Sequence, residues 1–309
     1  MFNHTPVLLE ESIEGLCIKG DGIYVDGTLG GAGHASVILS RLNQKGKLYC
    51  FDKDQDAIKV ANEKLAKISS NYQIIHSDFS HLKECLNALG VEKIDGLLLD
   101  IGVSSYQFDT PERGFSYKYD APLDMRMDQS QDKSAYDVVN YYPQKDLERI
   151  FYEYGEEKFS KNIAAGVVKE RKSKPIRTTF ELVDIIKKYL PSKVLNQKGH
   201  PAKQVFQAIR IEVNGELDAL RSVLDQSLSM LNRNGRVAII TFHSLEDRIV
   251  KNKFKEVSCV NDNVKGLVNL KDNEQEFRLI TRHPIVASKL ELETNNRSHS
   301  AKLRIIEKL

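Results

Sequence analysis

The run Ile23-Tyr24-Val25-Asp26-Gly27-Thr28-Leu29-Gly30-Gly31-Ala32-Gly33-His34 restricts the fold more than any other stretch of this chain. A short β-branched and aromatic segment stops at an acid, glycines crowd between Gly27 and Gly33, and an apolar-periodic segment then runs from Ala35 to Leu42. Strand, glycine turn and helix start in that order form a cradle for a nucleotide-like ligand, because glycine lets the backbone approach closely. A second apolar run, Leu48–Phe51, ends in Asp52. An acid at the tip of the second strand is where a ribose hydroxyl pair is held.

The same rhythm continues. Ile23–Val25, Leu48–Phe51, Gln73–Ile75, Gly96–Leu99 and Arg236–Phe242 read as buried strands, and Ala35–Leu42, Gln55–Ile68 and Leu82–Leu89 as helices between the first four. Such alternation predicts right-handed βαβ units in a doubly wound parallel sheet. It breaks between Asp100 and Arg236, where only loops and helical patterns appear: Lys145–Tyr154, Lys158–Arg171, Thr179–Tyr189 and one long helix from Gln204 to Leu231. We therefore expect an α/β sheet domain formed by residues 1–105 and 211–309, interrupted by a helical domain over 106–210. Phe277–Ile280 and Leu303–Ile306 would close the sheet as a hairpin, and Asn261–Glu276 reads as an exposed polar loop.

At 309 residues two domains are the natural expectation. No run reaches the roughly 20 apolar residues of a membrane helix, and the N-terminus lacks the pattern of a signal peptide. Cys17, Cys50, Cys85 and Cys259 form no CxxC pair, so reduced, buried thiols are expected, with no metal site. A cytoplasmic protein fits these features. The net charge of +2 hides an asymmetry: residues 161–210 hold twelve Lys or Arg against three Asp or Glu. The rest carries 33 basic and 40 acidic residues, so one basic surface is expected on an acidic protein. A polyanion partner and a merely solvated helical face both fit it.

A dinucleotide turn prefers Gly-x-Gly-x-x-Gly, yet Ser36 holds the third glycine's place, and Asp26 would repel a pyrophosphate. S-adenosylmethionine has no phosphate and carries an ammonium and a sulfonium, which an acid before the turn suits. Asp52 would take its ribose, and Phe79 in His76-Ser77-Asp78-Phe79 would offer its adenine an apolar face. Asp100 reaches the same crevice from the fourth strand, ahead of Ile101-Gly102-Val103-Ser104-Ser105. Each has a plainer alternative: Asp26 capping a turn, Phe79 in the core, His34 packing at a helix start.

With these residues the chain resembles the bacterial S-adenosylmethionine-dependent small-subunit rRNA (cytosine-N4) methyltransferases, the MraW group. The resemblance covers nearly the whole chain. It rests on His4-Thr5-Pro6-Val7-Leu8-Leu9-Glu10-Glu11, on Asp26–His34, on Asp95–Ser105, on Glu112-Arg113-Gly114-Phe115-Ser116 and on Pro122–Asp128. Tyr154-Gly155-Glu156-Glu157, His200-Pro201-Ala202, Phe206–Arg210, Thr241–Arg248 and Arg297–Arg304 complete it. It implies a Rossmann-like methyltransferase core with an inserted helical domain, methylating N4 of cytosine 1402 in 16S rRNA, within the small subunit or a late assembly particle. Carried over by position, Ala32, Gly33, His34, Asp52, Phe79, Asp100 and Gln107 would contact the cofactor, joined by Asp26 and Gly30 from the turn itself. Tyr106 stands where the group has proline, and His299 where it has arginine.

The cytosine amine is a poor nucleophile, so alignment and hydrogen-bond acceptance matter more than a strong base. Asp100 is the expected catalytic group, with Ser104 and Ser105 in support. Lys169, Arg171, Lys172, Lys174, Arg177 and Lys203 would meet RNA phosphates. Arg113, Arg126, Arg210, Asn214, His243 and Arg248 lie in the polar motifs nearest the core and would contact substrate, with structural ion pairs as the equal alternative. An NAD-dependent oxidoreductase and a non-catalytic RNA-binding or ribosome-assembly protein are the other functions the sequence allows. Oligomeric state is open, a homodimer included.

Overall fold

A computed structural model describes residues 6–195, 199–259 and 275–309. The chain divides into two compact units, Met1–Gly102 with Asp218–Leu309, and Val103–Leu217.

The first unit begins with α1 (Leu9–Leu16), whose Glu10 and Glu11 sit in the helix's positive first turn. It continues as β1 (Ile23–Asp26), α2 (Gly33–Arg41), β2 (Lys47–Asp52), α3 (Gln55–Leu65), β3 (Tyr72–His76), α4 (Leu82–Ala88) and β4 (Ile94–Asp100). The inserted unit supplies α5 (Ser105–Asp109), α6 (Ala135–Tyr141), α7 (Gln144–Glu153), α8 (Ser160–Glu170), α9 (Thr179–Tyr189), α10 (Ser192–Leu195) and α11 (Lys203–Asn214). Helix α12 (Glu216–Met230) leads back to β5 (Leu231–Thr241), α13 (Ser244–Ser258), β6 (Phe277–Leu279), α14 (Lys289–Thr294) and β7 (Lys302–Lys308).

The strands form one sheet in the order β3-β2-β1-β4-β5-β7-β6. β1 to β5 run parallel, and β7 is antiparallel to both β5 and β6. Side chains alternate faces along each strand, which sorts the core into two layers. Val25, Phe51, Leu97, Leu99, Val237 and Ile239 pack on one face with residues of α4, α12 and α13. Tyr24, Leu48, Cys50, Leu98, Ala238 and Ile240 pack on the other with α1, α2 and α3. A sheet covered on both faces needs central strands that are nearly continuous apolar runs, as Tyr24–Val25, Leu48–Phe51, Leu97–Leu99 and Val237–Ile240 are. The inserted unit has its own core, centred on Leu147, Ile150, Phe151, Ile163, Val167, Leu182 and Ile186.

Several expectations change. The long helix expected over Gln204–Leu231 is two helices: Gly215 adopts φ 62° and its N–H donates to Ile211 O, closing α11 with a left-handed cap. Helix α1 was not foreseen as a helix. β6 and β7 do pair, but α14 lies in the chain between them, so they are no tight hairpin. Residues 260–274, most of the expected polar loop, lie outside the described residues. All four cysteines are free, yet only Cys50 is buried, while Cys17 and Cys259 are exposed because each sits at the C-terminal end of a helix rather than on its packed face.

Candidate active site at the carboxyl ends of β1 and β4

From β1 the chain builds outward to β2 and β3, whereas β4 and β5 lie on β1's other side. Open α/β sheets bind their ligands where strand order reverses in this way, beyond the carboxyl ends of the strands. The last residues of the flanking strands are Asp26 and Asp100.

The glycine turn is stitched to both neighbouring strands. Gly27 N–H donates to Leu98 O (2.9 Å), and the Thr28 hydroxyl accepts from Asp100 N–H (2.6 Å). On the other side Leu29 N–H donates to Phe51 O (3.0 Å) and Gly30 N–H to an Asp52 carboxylate oxygen (2.8 Å). The plainer reading of Asp26 is met as well: its carboxylate accepts from Thr28 N–H at 3.0 Å, an Asx turn. Gly30 and Ala32 take left-handed φ values of 46° and 56°, and α2 starts without a side-chain cap. A Cβ at Gly31 would meet nothing within 4 Å, so this side of the turn is open. Gly27 is the reverse, since a Cβ there would stand 2.3 Å from Leu99 Cδ2 and 3.4 Å from Phe79 Cβ. Gly27→Ala should therefore cost about 1–3 kcal/mol through overpacking against a buried leucine, read as a lower denaturation midpoint.

The turn gathers acids with few cations to balance them. Asp26 is buried, and burial together with the Asp52 charge pushes its pKa up to about 7, against the Thr28 amide. Asp52 accepts from Gly30 N–H and Asp54 N–H, yet burial still raises it to about 6. Asp100 is also raised to about 7, by burial first and then by the charges of Asp26 and Glu246, with Arg297 opposing. Its Oδ1 is buried with no hydrogen-bond partner, while 27% of the side chain stays accessible. That is an acid with bonding capacity left over. His34 does not neutralise it. Burial lowers the imidazole to about 4, so the ring is uncharged at neutral pH despite lying 3.8 Å from Asp100. Its Nε2 is 3.1 Å from Val7 O, which can only accept, so the proton sits on Nε2 and Nδ1 turns a lone pair toward the carboxylate.

Of the expected site residues, Asp26, Gly30, Ala32, Gly33, His34, Asp52, Phe79 and Asp100 all belong to this turn and the strand ends around it. Phe79 is half-buried at the start of a 3-10 turn, with its Cβ lying against Gly27. Ser104 and Gln107 lie in the inserted unit and form a capping box at α5: the Ser104 hydroxyl accepts from Gln107 N–H (3.2 Å), and Gln107 Oε1 from Ser104 N–H (3.1 Å). Ser105 is the first residue of that helix. Glu246 was not singled out from the sequence. It is buried, receives Phe242 N–H (2.8 Å) and His243 N–H (3.3 Å) on Oε2, and leaves Oε1 without an aligned donor. His243 Nε2 stands 2.9 Å from that oxygen but outside hydrogen-bond alignment. The spacing of His243 and Glu246 at a helix start is the signal that could have found it.

Four of the arginines expected to meet RNA or substrate are engaged within their own unit. Arg113 is buried and donates to Arg126 O (2.9 Å) and Met127 O (3.0 Å). Arg126 grips Asp124 and donates to Gln129 O and Gln131 O. Arg171 donates to Val139 O and Tyr142 O, both at 2.6 Å, and Arg210 makes a two-pronged pair with Glu216 at 2.8 and 2.9 Å. Asn214 ties Met125, Met127 and Arg210 backbone together. His243 caps α13. Lys174 pairs with Glu181 and is exposed, as are Lys169, Lys172, Arg177, Lys203 and Arg248. Guanidinium groups bonded to carbonyls hold a fold rather than a phosphate. Arg171→Ala should lower the unfolding free energy by about 2–4 kcal/mol through two lost charged bonds. Lys172→Ala should stay within about 0.5 kcal/mol of the parent. Thermal denaturation of the two variants side by side checks this; equal midpoints would return Arg171 to the RNA-contact candidates.

Residues 1–309 match the MraW methylase family from end to end. The chain belongs to the MraW methylase family. Among solved structures, this MraW methylase is similar to an rRNA methylase from Streptococcus thermophilus, at 12% identity over 100% of this chain and 99% of that one, with a TM-score of 0.45. It is also similar to a protein from Streptococcus mutans described as a methyltransferase and solved with SAH, at 17% identity over 100% of each chain and a TM-score of 0.45. At such values the likeness adds nothing to the strand order already described. No helix among the methylase's described residues is long and apolar enough to cross a membrane.

Proposed function

We propose that this methylase transfers a methyl group from S-adenosylmethionine to N4 of cytosine 1402 in 16S rRNA. The observation that carries the donor is the acid cluster itself: Asp26, Asp52 and Asp100 ring the glycine turn, all three raised by burial, and Asp100 keeps an unpartnered oxygen. A crevice of that sign suits a ligand with an ammonium and a sulfonium and repels a pyrophosphate, which disfavours the NAD-dependent reading. A protein that only bound RNA would have no need of three acids whose mutual repulsion destabilises it.

Bound there, S-adenosylmethionine supplies an electrophilic methyl group. Asp52 has lone pairs beyond those used by Gly30 and Asp54 and accepts the ribose hydroxyls, while Phe79 offers the adenine an apolar wall. Asp26 sets the sign of the crevice and fixes the turn through Thr28. Asp100 accepts a hydrogen bond from the attacking amine or steadies the donor's cation; both need the carboxylate ionised. No strong base is required, because the methylated ammonium is acidic enough to shed its proton afterwards. Ser104, Ser105 and Gln107 follow Asp100 closely in sequence and are the supporting candidates. The RNA base must be splayed out of its stack to enter such a crevice, which is cheapest in a loop or single strand.

The cytosine target, the 16S rRNA, and the small subunit or a late assembly particle as partner come from the motif resemblance, and a ribosomal substrate implies a cytoplasmic enzyme. Mass spectrometry of 16S rRNA from a strain lacking the gene should show one methyl missing from N4 of cytosine 1402, restored by the wild-type gene. An unchanged methylation pattern would overturn the assignment.

A further inference from the structure

Helix α7 places Lys145, Glu148, Arg149 and Tyr152 at intervals of three and four residues, so they share one face. With Lys158, Ser160 and Lys161 at the start of α8 they line a groove of about 660 Å³ within the inserted unit. Four cations face one acid. Arg149 is partly occupied, 3.3 Å from Glu153, but Lys145, Lys158 and Lys161 are exposed and make no hydrogen bond or ion pair with any described residue. This contrasts with Arg113, Arg126, Arg171 and Arg210, whose charges are spent on their own unit.

Two features give the groove a focus. Helix α8 spans eleven residues from Ser160 and has no side-chain cap at Phe159; Glu157 accepts from Phe159 N–H (2.8 Å) and Ser160 N–H (3.3 Å), and the following amides of the first turn are left to an outside acceptor. Ser160 is only 6% exposed, lines the groove, and its hydroxyl has no partner among the described residues. Helix-terminal amides, an unpartnered hydroxyl and flanking lysines are the donor set that a phosphate takes. At the groove's wall Tyr152 leaves 65% of its surface in solvent, an aromatic face with nothing packed on it. Phosphate donors beside a free aromatic ring match nucleic acid better than an isolated anion, because single strands pair backbone contacts with base stacking.

We infer that the α7–α8 groove is a backbone-binding subsite for the RNA substrate, with one phosphate at the α8 N-terminus and a neighbouring base on Tyr152. This rests on the rRNA reading above. The test is fluorescence anisotropy with a labelled single-stranded RNA spanning the 16S segment around cytosine 1402, over a series of salt concentrations. Lys145→Ala/Lys158→Ala/Lys161→Ala together should weaken binding at least about tenfold and flatten the salt slope by about 2, from three lost phosphate contacts. Tyr152→Ala should weaken it about tenfold with the slope unchanged, and Tyr152→Phe should restore it. In methylation assays the same variants should raise KM for RNA and leave kcat alone. Wild-type affinity and slope in the triple variant overturn the inference, as does a groove whose loss affects only competition by inorganic phosphate. If the wild-type enzyme methylates 16S rRNA and the variants are indifferent, the groove alone fails. If the wild-type enzyme neither binds nor methylates it, the rRNA reading falls too.

Discussion

Asp100→Asn should slow methyl transfer by about two to three orders of magnitude while leaving the protein folded and slightly more stable than its parent without ligand. Asp100 carries a buried oxygen with no hydrogen-bond partner and sits among charges of its own sign, Asp26 and Glu246. Removing its charge relieves that repulsion, so the ligand-free melting temperature should rise. The same change removes the negative charge at the reacting end and puts an amide N–H₂ donor beside an acceptor oxygen, and kcat/KM should fall about 10²–10³-fold, the usual loss when one preorganised electrostatic contact is deleted. Steady-state methylation assays and thermal melts on one preparation check both halves. Near-normal turnover would take Asp100 out of the site. A large drop in melting temperature would make it a structural residue instead.

The stability of the ligand-free protein should fall as pH rises from 5.5 to 8, the reverse of the common acid-labile behaviour. Asp26, Asp52 and Asp100 have folded pKa values near 7, 6 and 7 against an ordinary value of 3.8. Carboxyls raised in this way stabilise fully at low pH and lose that contribution as pH climbs through the folded values. His34 opposes them: its folded value near 4 lies below the ordinary 6.5, so its contribution is complete only above pH 6.5 and is lost toward pH 4. Three acids outweigh one imidazole, and a net change of about 2 kcal/mol over this window is expected. Melting temperatures measured at pH 5.5 and 8 read it directly. S-adenosylmethionine should respond oppositely, binding more tightly as pH rises and releasing protons when it binds. Calorimetry in two buffers of different ionisation enthalpy measures that release, and a binding enthalpy independent of buffer would sink this account of the crevice.

The sheet and the turn were legible because their signals are local. Short apolar runs ending in Asp26, Asp52 and Asp100 mark strand ends whatever surrounds them, and glycine spacing marks the turn. What escaped was settled by tertiary partners or by one backbone angle. Gly215 breaks a helical pattern that stays apolar-periodic through both α11 and α12, and a lone glycine in such a pattern is tolerated often enough to pass unnoticed. Arg171 is a cation in a basic stretch by composition, and only the approach of the Val139 and Tyr142 carbonyls makes it a brace. Cys17 and Cys259 sit in apolar or helical surroundings along the chain, yet helix ends leave them exposed. Glu246 could have been found, since capping chemistry is written in its spacing from His243, but its orphaned oxygen could not.

The inward-turned arginines also bear on how far an isoelectric point can be trusted for such a protein. A surplus counted along 161–210 includes guanidinium groups already engaged with carbonyl oxygens and carboxylates of their own unit, so the field offered to a polyanion is weaker and differently placed than the letters imply. Exchanging Arg113, Arg126, Arg171 and Arg210 for lysine would leave the titration curve and ion-exchange behaviour nearly unchanged near neutral pH. It would also replace planar forks, each bridging two or more acceptors, with single ammonium points that cannot span them. Two proteins indistinguishable by charge would then differ in how readily their inserted units open to hydrogen exchange.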